Sequence, residues 1–123
     1  MAKPIRVMLV DDNLDFLRSA KKYLTLQPSL QIVGSASSGK EALKQIPTLR
    51  PDLVLMDWTM PEMSGLEATR QIKQHKKAPR IVILTLHIIP TYQNAAQAAG
   101  ADGFISKSNW NEELIPLIQS LFE

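Results

Sequence analysis

Five short runs of apolar and β-branched residues punctuate the chain, at 5–10, 30–34, 52–56, 80–84 and 103–106. They read as near-continuous apolar stretches rather than alternations, which predicts strands buried on both faces. Helical spacing fills the intervals. Phe16, Leu17, Ala20 and Leu24 share one face, as do Ala42, Leu43 and Ile46, then Leu66, Thr69 and Ile72, and last Leu114, Leu117, Ile118 and Leu121. Residues 91–99 are alanine-rich and stop at Gly100, a helix terminator. Asn109, with Glu112 three residues on, predicts a capping box opening the last helix. Pro116 falls inside that helix, where it is expected to remove a hydrogen bond and bend the axis. Strands alternating with helices, five of each, predict an α/β fold: a parallel sheet covered on both faces, doubly wound through right-handed crossovers.

Composition changes this picture little. The 123 residues suit one domain spanning 1–123, long enough to bury a core without covalent staples. Cysteine is absent, which excludes disulfides and thiolate metal sites and suits a reducing compartment. No apolar run reaches the length of a membrane span, and the opening Met-Ala-Lys-Pro lacks a signal peptide's apolar stretch, so a cytoplasmic protein is expected. Fourteen basic against 12 acidic residues leave a net charge of +2, too balanced to announce a nucleic-acid partner. The one basic cluster, Lys73, His75, Lys76, Lys77 and Arg80, has the composition of a solvated helix end rather than a binding patch.

The chemistry lies where the strands stop. The first runs into Asp11-Asp12, the third into Asp57, the fourth into Thr85 and the fifth into Lys107. All strands of a parallel sheet present their carboxyl ends at one edge, where open α/β sheets bind ligands. Singly, each residue would pass for a turn, a cap or a surface group. Together, three carboxylates, a hydroxyl and an ammonium on one rim form a site. Three close carboxylates repel unless a cation neutralises them. A set of oxygen ligands without His or Cys favours a hard divalent ion, Mg²⁺ where phosphate is also present. Lys107 suits a phosphoryl oxygen, Thr85 can donate to another, and a carboxylate is a competent nucleophile that yields an acyl phosphate. Asp57, lying between the Asp pair, the hydroxyl and the amine, is the expected acceptor.

Asp11-Asp12, Asp57 followed by Met60-Pro61-Glu62-Met63-Ser64-Gly65, Thr85, and Gly100-Ala101-Asp102-Gly103-Phe104-Ile105-Ser106-Lys107 together resemble the receiver domains of two-component response regulators. The resemblance covers nearly the whole chain. It implies a flavodoxin-like sheet of order 2-1-3-4-5, with Asp12, Asp57 and the Thr59 carbonyl binding Mg²⁺ directly and Asp11 through water. It further implies that Asp57 takes its phosphoryl group from a histidine kinase phosphohistidine. Lys107 would pair with that group, Thr85 would swing in to hydrogen-bond it, and Phe104 would be the aromatic switch. By the same resemblance the chain is a phosphoacceptor rather than an enzyme, with a homodimer on phosphorylation as one outcome. Gly65-Leu66-Glu67-Ala68-Thr69-Arg70, Thr85-Leu86-His87 and a Lys107 without a following proline resemble receivers joined to a carboxy-terminal helix-turn-helix DNA-binding domain. The chain stops at Glu123 without one, so an excised receiver is expected before a stand-alone one.

Departures from the family pattern set further expectations. Leu86 is bulky where receivers tend to carry a small residue, and should restrict entry of phosphodonors or water. A cis bond between Lys107 and Ser108, where proline is common, would cost roughly 3 kcal/mol. Ile88-Ile89-Pro90 replaces a stretch often acidic, and the two isoleucines either face a partner or lie buried under their loop. Trp58 and Trp110 are expected as half-buried packing residues. Two other chemistries fit less well. A haloacid-dehalogenase-type phosphatase needs a second Asp two residues after its nucleophile, but Asn13 and Thr59 stand at those places. A nucleotide-binding module needs a Gly-rich loop where Asp-Asp-Asn-Leu-Asp follows the first strand. A receiver acting by protein contact alone, without phosphorylation, remains a third alternative.

Overall fold

The computed structural model describes residues 3–123; Met1 and Ala2, part of the opening read above for a leader, lie outside them. Strands and helices alternate throughout. They are β1 (Ile5–Val10), α1 (Leu14–Thr25), β2 (Leu30–Ala36), α2 (Gly39–Leu49), β3 (Leu53–Asp57), α3 (Gly65–Ile72), β4 (Arg80–Thr85), α4 (Pro90–Ala98), β5 (Gly103–Ser106) and α5 (Trp110–Phe122). The five strands form one parallel sheet in the order β2-β1-β3-β4-β5. No helix among the described residues is long and apolar enough to cross a membrane.

The near-continuous apolar runs are explained by burial on both sides. Val7, Leu9, Leu53, Leu55, Val82 and Leu84 pack with Ala20 and Leu24 of α1 and Leu114 and Ile118 of α5. Their neighbours Met8, Val10, Val54, Met56, Ile81 and Ile83 point the other way, against Ala42, Ala68, Ile72 and Ala96 of α2, α3 and α4. The three central strands therefore stand fixed from both faces, and their ends form a rigid platform.

Three local expectations need correction. β2 runs on through Ser35 and Ala36, which pair with Leu9 and Val10. Gly34 is not a stop there: a Cβ on it would lie 2.6 Å from Leu49 Cδ1, so the missing side chain lets α2 pack close. The capping box at Asn109 does not form. Asn109 sits at φ −120°, ψ 22°, away from the extended backbone a cap requires, and its side chain makes no capping bond. Its carbonyl accepts from the Glu112 and Glu113 amides instead, and the Glu113 carboxylate reaches back to the Ser106 amide at 3.3 Å. α5 continues through Pro116, which as expected donates no helical hydrogen bond, and α2 does the same through Pro47. Both prolines are exposed. Finally, the basic cluster is only partly solvated. His75, Lys76 and Lys77 are exposed, but Lys73 lies 2.7 Å from the Asp102 carboxylate and Arg80 3.4 Å from it. Asp102 also accepts from the Ile81 amide at 2.8 Å, joining the end of α3 to the starts of β4 and β5.

Candidate functional site

Backbone bonds align the strand ends before any side chain is considered. The Asp11 amide donates to Ala36 O (3.1 Å), Trp58 to Leu84 O (2.9 Å) and Lys107 to Thr85 O (2.7 Å). Asp11, Asp57, Thr85 and Lys107 thus meet at one edge of the sheet. Lys107 Nζ donates to Asp57 Oδ1 at 3.2 Å. It also lies 2.7 Å from Asp11 Oδ2, as an ion pair off the line of a hydrogen bond. One carboxylate oxygen from each of Asp11, Asp12 and Asp57 falls within a 4.8 Å group. Asp11 and Asp57 are buried, at 2% and 6% exposure, whereas Asp12 is exposed. Asp11 Oδ1 is occupied by the Asn13 amide at 2.8 Å. That second role fits a residue reaching a metal indirectly.

These charges work against one another. Burial, and then the neighbouring Asp11, push the Asp57 carboxyl up to about 6, against the pull of Lys107. Burial also acts to lower Lys107, but Asp11 and Asp57 together overcome it and hold the ammonium above its usual range. A net excess of negative charge at the mouth, with oxygen donors only, is what a hard divalent cation would relieve.

The loop after β3 is held by several contacts. Gly65 N donates to Trp58 O at 2.9 Å, and Ser64 caps α3 by accepting from the Glu67 amide at 3.1 Å. Glu62 takes a left-handed φ of 69°, and Thr59 lies exposed within the loop. Gly65 meets the strand end so closely that a Cβ there would fall 2.0 Å from Asp57 O. The Thr85 hydroxyl is buried and accepts from the His87 amide at 3.2 Å. Phe104 is half-buried with its ring edge-on to Trp58, centroids 6.0 Å apart, and Trp58 stacks on Tyr92 at 4.9 Å. Trp58 and Trp110 are half-buried, as expected. Leu86, Ile88 and Ile89 are 67%, 49% and 46% exposed, which removes burial as the account of the isoleucines. The peptide bond between Lys107 and Ser108 is trans. Sequence reasoning missed one neighbour: Phe16, read there as a core residue of α1, lies with its ring 4.4 Å from Lys107 Nζ.

A family model for the response regulator receiver domain matches residues 7–119. The chain belongs to that family. Receiver domains are phosphoacceptor switches of two-component signalling, and relatives among transcription regulators stand near this one. It is 34% identical over 119 residues to the response regulator protein VraR of Staphylococcus saprophyticus, covering 97% of this chain and 57% of that protein. The receiver domain thus spans little more than half the length of the curated relatives it matches. Among solved structures, a LuxR-family two-component response regulator from Aurantimonas superposes with a TM-score of 0.90 at 34% identity, covering 97% of this chain and 85% of that one. The signal receiver domain of NarL from Mycobacterium tuberculosis gives 0.90 at 28% identity, covering 98% and 97%. The sheet order and five-helix arrangement are those of the flavodoxin-like receiver fold.

Proposed function

We propose that Asp57 is the phosphoacceptor, working with a Mg²⁺ held by Asp12, Asp57 and the Thr59 carbonyl, and by Asp11 through water. The observation that carries this reading is a buried carboxylate at the end of β3, 3.2 Å from a half-buried lysine and grouped with two further carboxylates. The Asp57 carboxylate attacks phosphorus, the bond to the donor nitrogen breaks, and an acyl phosphate forms. Lys107 releases Asp57 Oδ1 and moves to a phosphoryl oxygen. Bound Mg²⁺ would supply positive charge, offsetting both the carboxylate repulsion and the charge on the transferring group. The donor is a histidine kinase phosphohistidine in the cytoplasm, and the output a carboxy-terminal DNA-binding domain controlling transcription. With phosphoramidate and Mg²⁺ the chain should gain one phosphoryl group, and borohydride trapping should locate it at Asp57. Uptake unaffected by chelating the Mg²⁺, or trapping at another residue, overturns the assignment. Turnover of phosphate monoesters is not expected.

Transmission follows from Thr85. Turning its hydroxyl to the phosphoryl group gives up the 3.2 Å bond to His87 and vacates space behind β4 for the Phe104 ring. A beryllofluoride complex should show Thr85 drawn in, Phe104 rotated away from Trp58, and amide shifts spread over α4, β5 and α5. Shifts confined to the loop after Asp57 would exclude this route. Homodimerisation through that altered face is the accompanying expectation.

The metal can be tested by stability alone. Mg²⁺ at ten times its dissociation constant should add about 1.4 kcal/mol by mass action. For a domain of this size the melting temperature should rise by roughly 4–7 °C. Protonation of Asp57 competes with the metal, so the rise should shrink as pH falls through about 6. Melts with and without Mg²⁺ at matched ionic strength check it.

A further inference from the structure

We infer that Phe16 is a positioning residue for phosphoryl transfer, holding the Lys107 ammonium against the face of its ring; this rests on the roles of Asp57 and Lys107 proposed above. An ammonium has three N–H donors. On one side of Lys107 Nζ stand Asp57 Oδ1 at 3.2 Å and Asp11 Oδ2 at 2.7 Å. On another is the Phe16 ring, its centroid 4.4 Å away, within the range of a cation–π contact. The lysine side chain is 13% exposed. The ring therefore stands where solvent would otherwise surround the cation.

The ring is itself fixed from two helices. The Phe16 amide donates to Asn13 Oδ1 at 3.1 Å, which sets the first turn of α1. Trp110 of α5 meets Phe16 edge-on at 5.5 Å and 67°. Tyr23 braces Trp110 from the next turns of α1, edge-on at 5.2 Å and 82°, with its hydroxyl donating to Asn111 O at 3.0 Å. No other side chain of this aromatic group touches Lys107 among the described contacts, so Phe16 is its point of action.

The chemistry of the step gives the ring its use. Lys107 has to leave Asp57 Oδ1 and reach a phosphoryl oxygen as the acyl phosphate forms. A hydrogen-bond acceptor in the place of Phe16 would hold the ammonium in one direction. A ring face attracts it while leaving it free to turn, and keeps it poorly hydrated so that its full charge acts on the transferring group. Phe16 touches neither donor nor phosphoryl group and works through Lys107.

Three replacements separate the ring's face from its bulk. Phe16→Leu removes the ring, Phe16→Tyr keeps its face, and pentafluorophenylalanine at position 16 keeps the shape while reversing the charge of the face. Initial rates with phosphoramidate at saturating Mg²⁺ should fall about three- to tenfold for the leucine and fluorinated proteins, and stay at the wild-type level for Phe16→Tyr. In the metal-free protein, ring current should shift the Lys107 ε-methylene protons upfield, and Phe16→Leu should abolish that shift. Wild-type rates in the fluorinated protein, Phe16→Tyr as slow as Phe16→Leu, or an unshifted Lys107 each overturn the inference. Phosphoryl uptake that survives Asp57→Asn overturns the reading of the site instead, so the two failures are told apart.

Discussion

Asp57→Asn should end phosphoryl uptake and, in the same molecule, make the metal-free protein more stable by on the order of 2–3 kcal/mol at pH 8. The first effect follows because an amide oxygen is no nucleophile for phosphorus at neutral pH. The second follows from the native carboxyl, which burial and Asp11 raise from an ordinary 3.8 to about 6 while only 6% of the residue is exposed. The folded state thus binds this proton more tightly than the unfolded chain does. Above pH 6 the ionised carboxylate carries the full penalty of its surroundings. The penalty fades as pH falls from about 6 toward 3.8, and below that range it is gone. Asparagine has no charge to bury and its Oδ1 can still accept from Lys107, so little is lost in exchange. Urea unfolding of both proteins without metal should show the variant ahead at pH 8 and the gap closing by pH 4. Equal stabilities at pH 8, or a gap that does not change with pH, would show that Asp57 is not held at an electrostatic cost.

The legible part of the molecule was legible for one physical reason. A strand buried on both faces must be apolar along its length, so the first charged or hydroxyl residue after it marks the sheet edge. Asp11, Asp57, Thr85 and Lys107 announce themselves in that way, and the structure brings all four together. What sequence reasoning missed depends on contacts between distant segments. Gly34 reads as a strand stop until Leu49, from the following helix, is seen to fill the space beside it. Asn109 has the right chemistry for a cap, but its backbone, set by the turn after β5, is not extended. Phe16 fits the apolar face of α1, and nothing in its spacing says that an ammonium from the far end of the chain lies over it. Lys73 looks like one more solvated lysine until Asp102 takes it up. Periodicity reports which face is covered. It does not report by what.

Gly65→Ala should be among the most damaging substitutions open to this domain, despite adding a single methyl at the start of a helix. Alanine is ordinarily the better helix residue, by roughly 0.5–1 kcal/mol in a helix interior. Here the added Cβ would lie 2.0 Å from Asp57 O and 2.9 Å from both Asp57 C and Met56 Cγ. Two of those three atoms are backbone of β3, a strand whose every residue is buried and which pairs with β1 on one side and β4 on the other. It cannot step back. The start of α3 must move instead, which strains the 2.9 Å bond from Gly65 N to Trp58 O and drags the loop carrying Thr59. Overpacking of this kind costs about 1–3 kcal/mol where side chains can give, and more where backbone is the obstacle. A loss of roughly 2–4 kcal/mol is therefore expected, seen as a lower urea midpoint with an unchanged slope. Because the displaced loop is the one proposed to supply a metal ligand, the Mg²⁺ dissociation constant should rise in the same variant. An alanine protein as stable as wild type, binding Mg²⁺ equally well, would mean that the junction between β3 and α3 is loose enough to admit the methyl, and that its tight fit does not hold the loop at the metal.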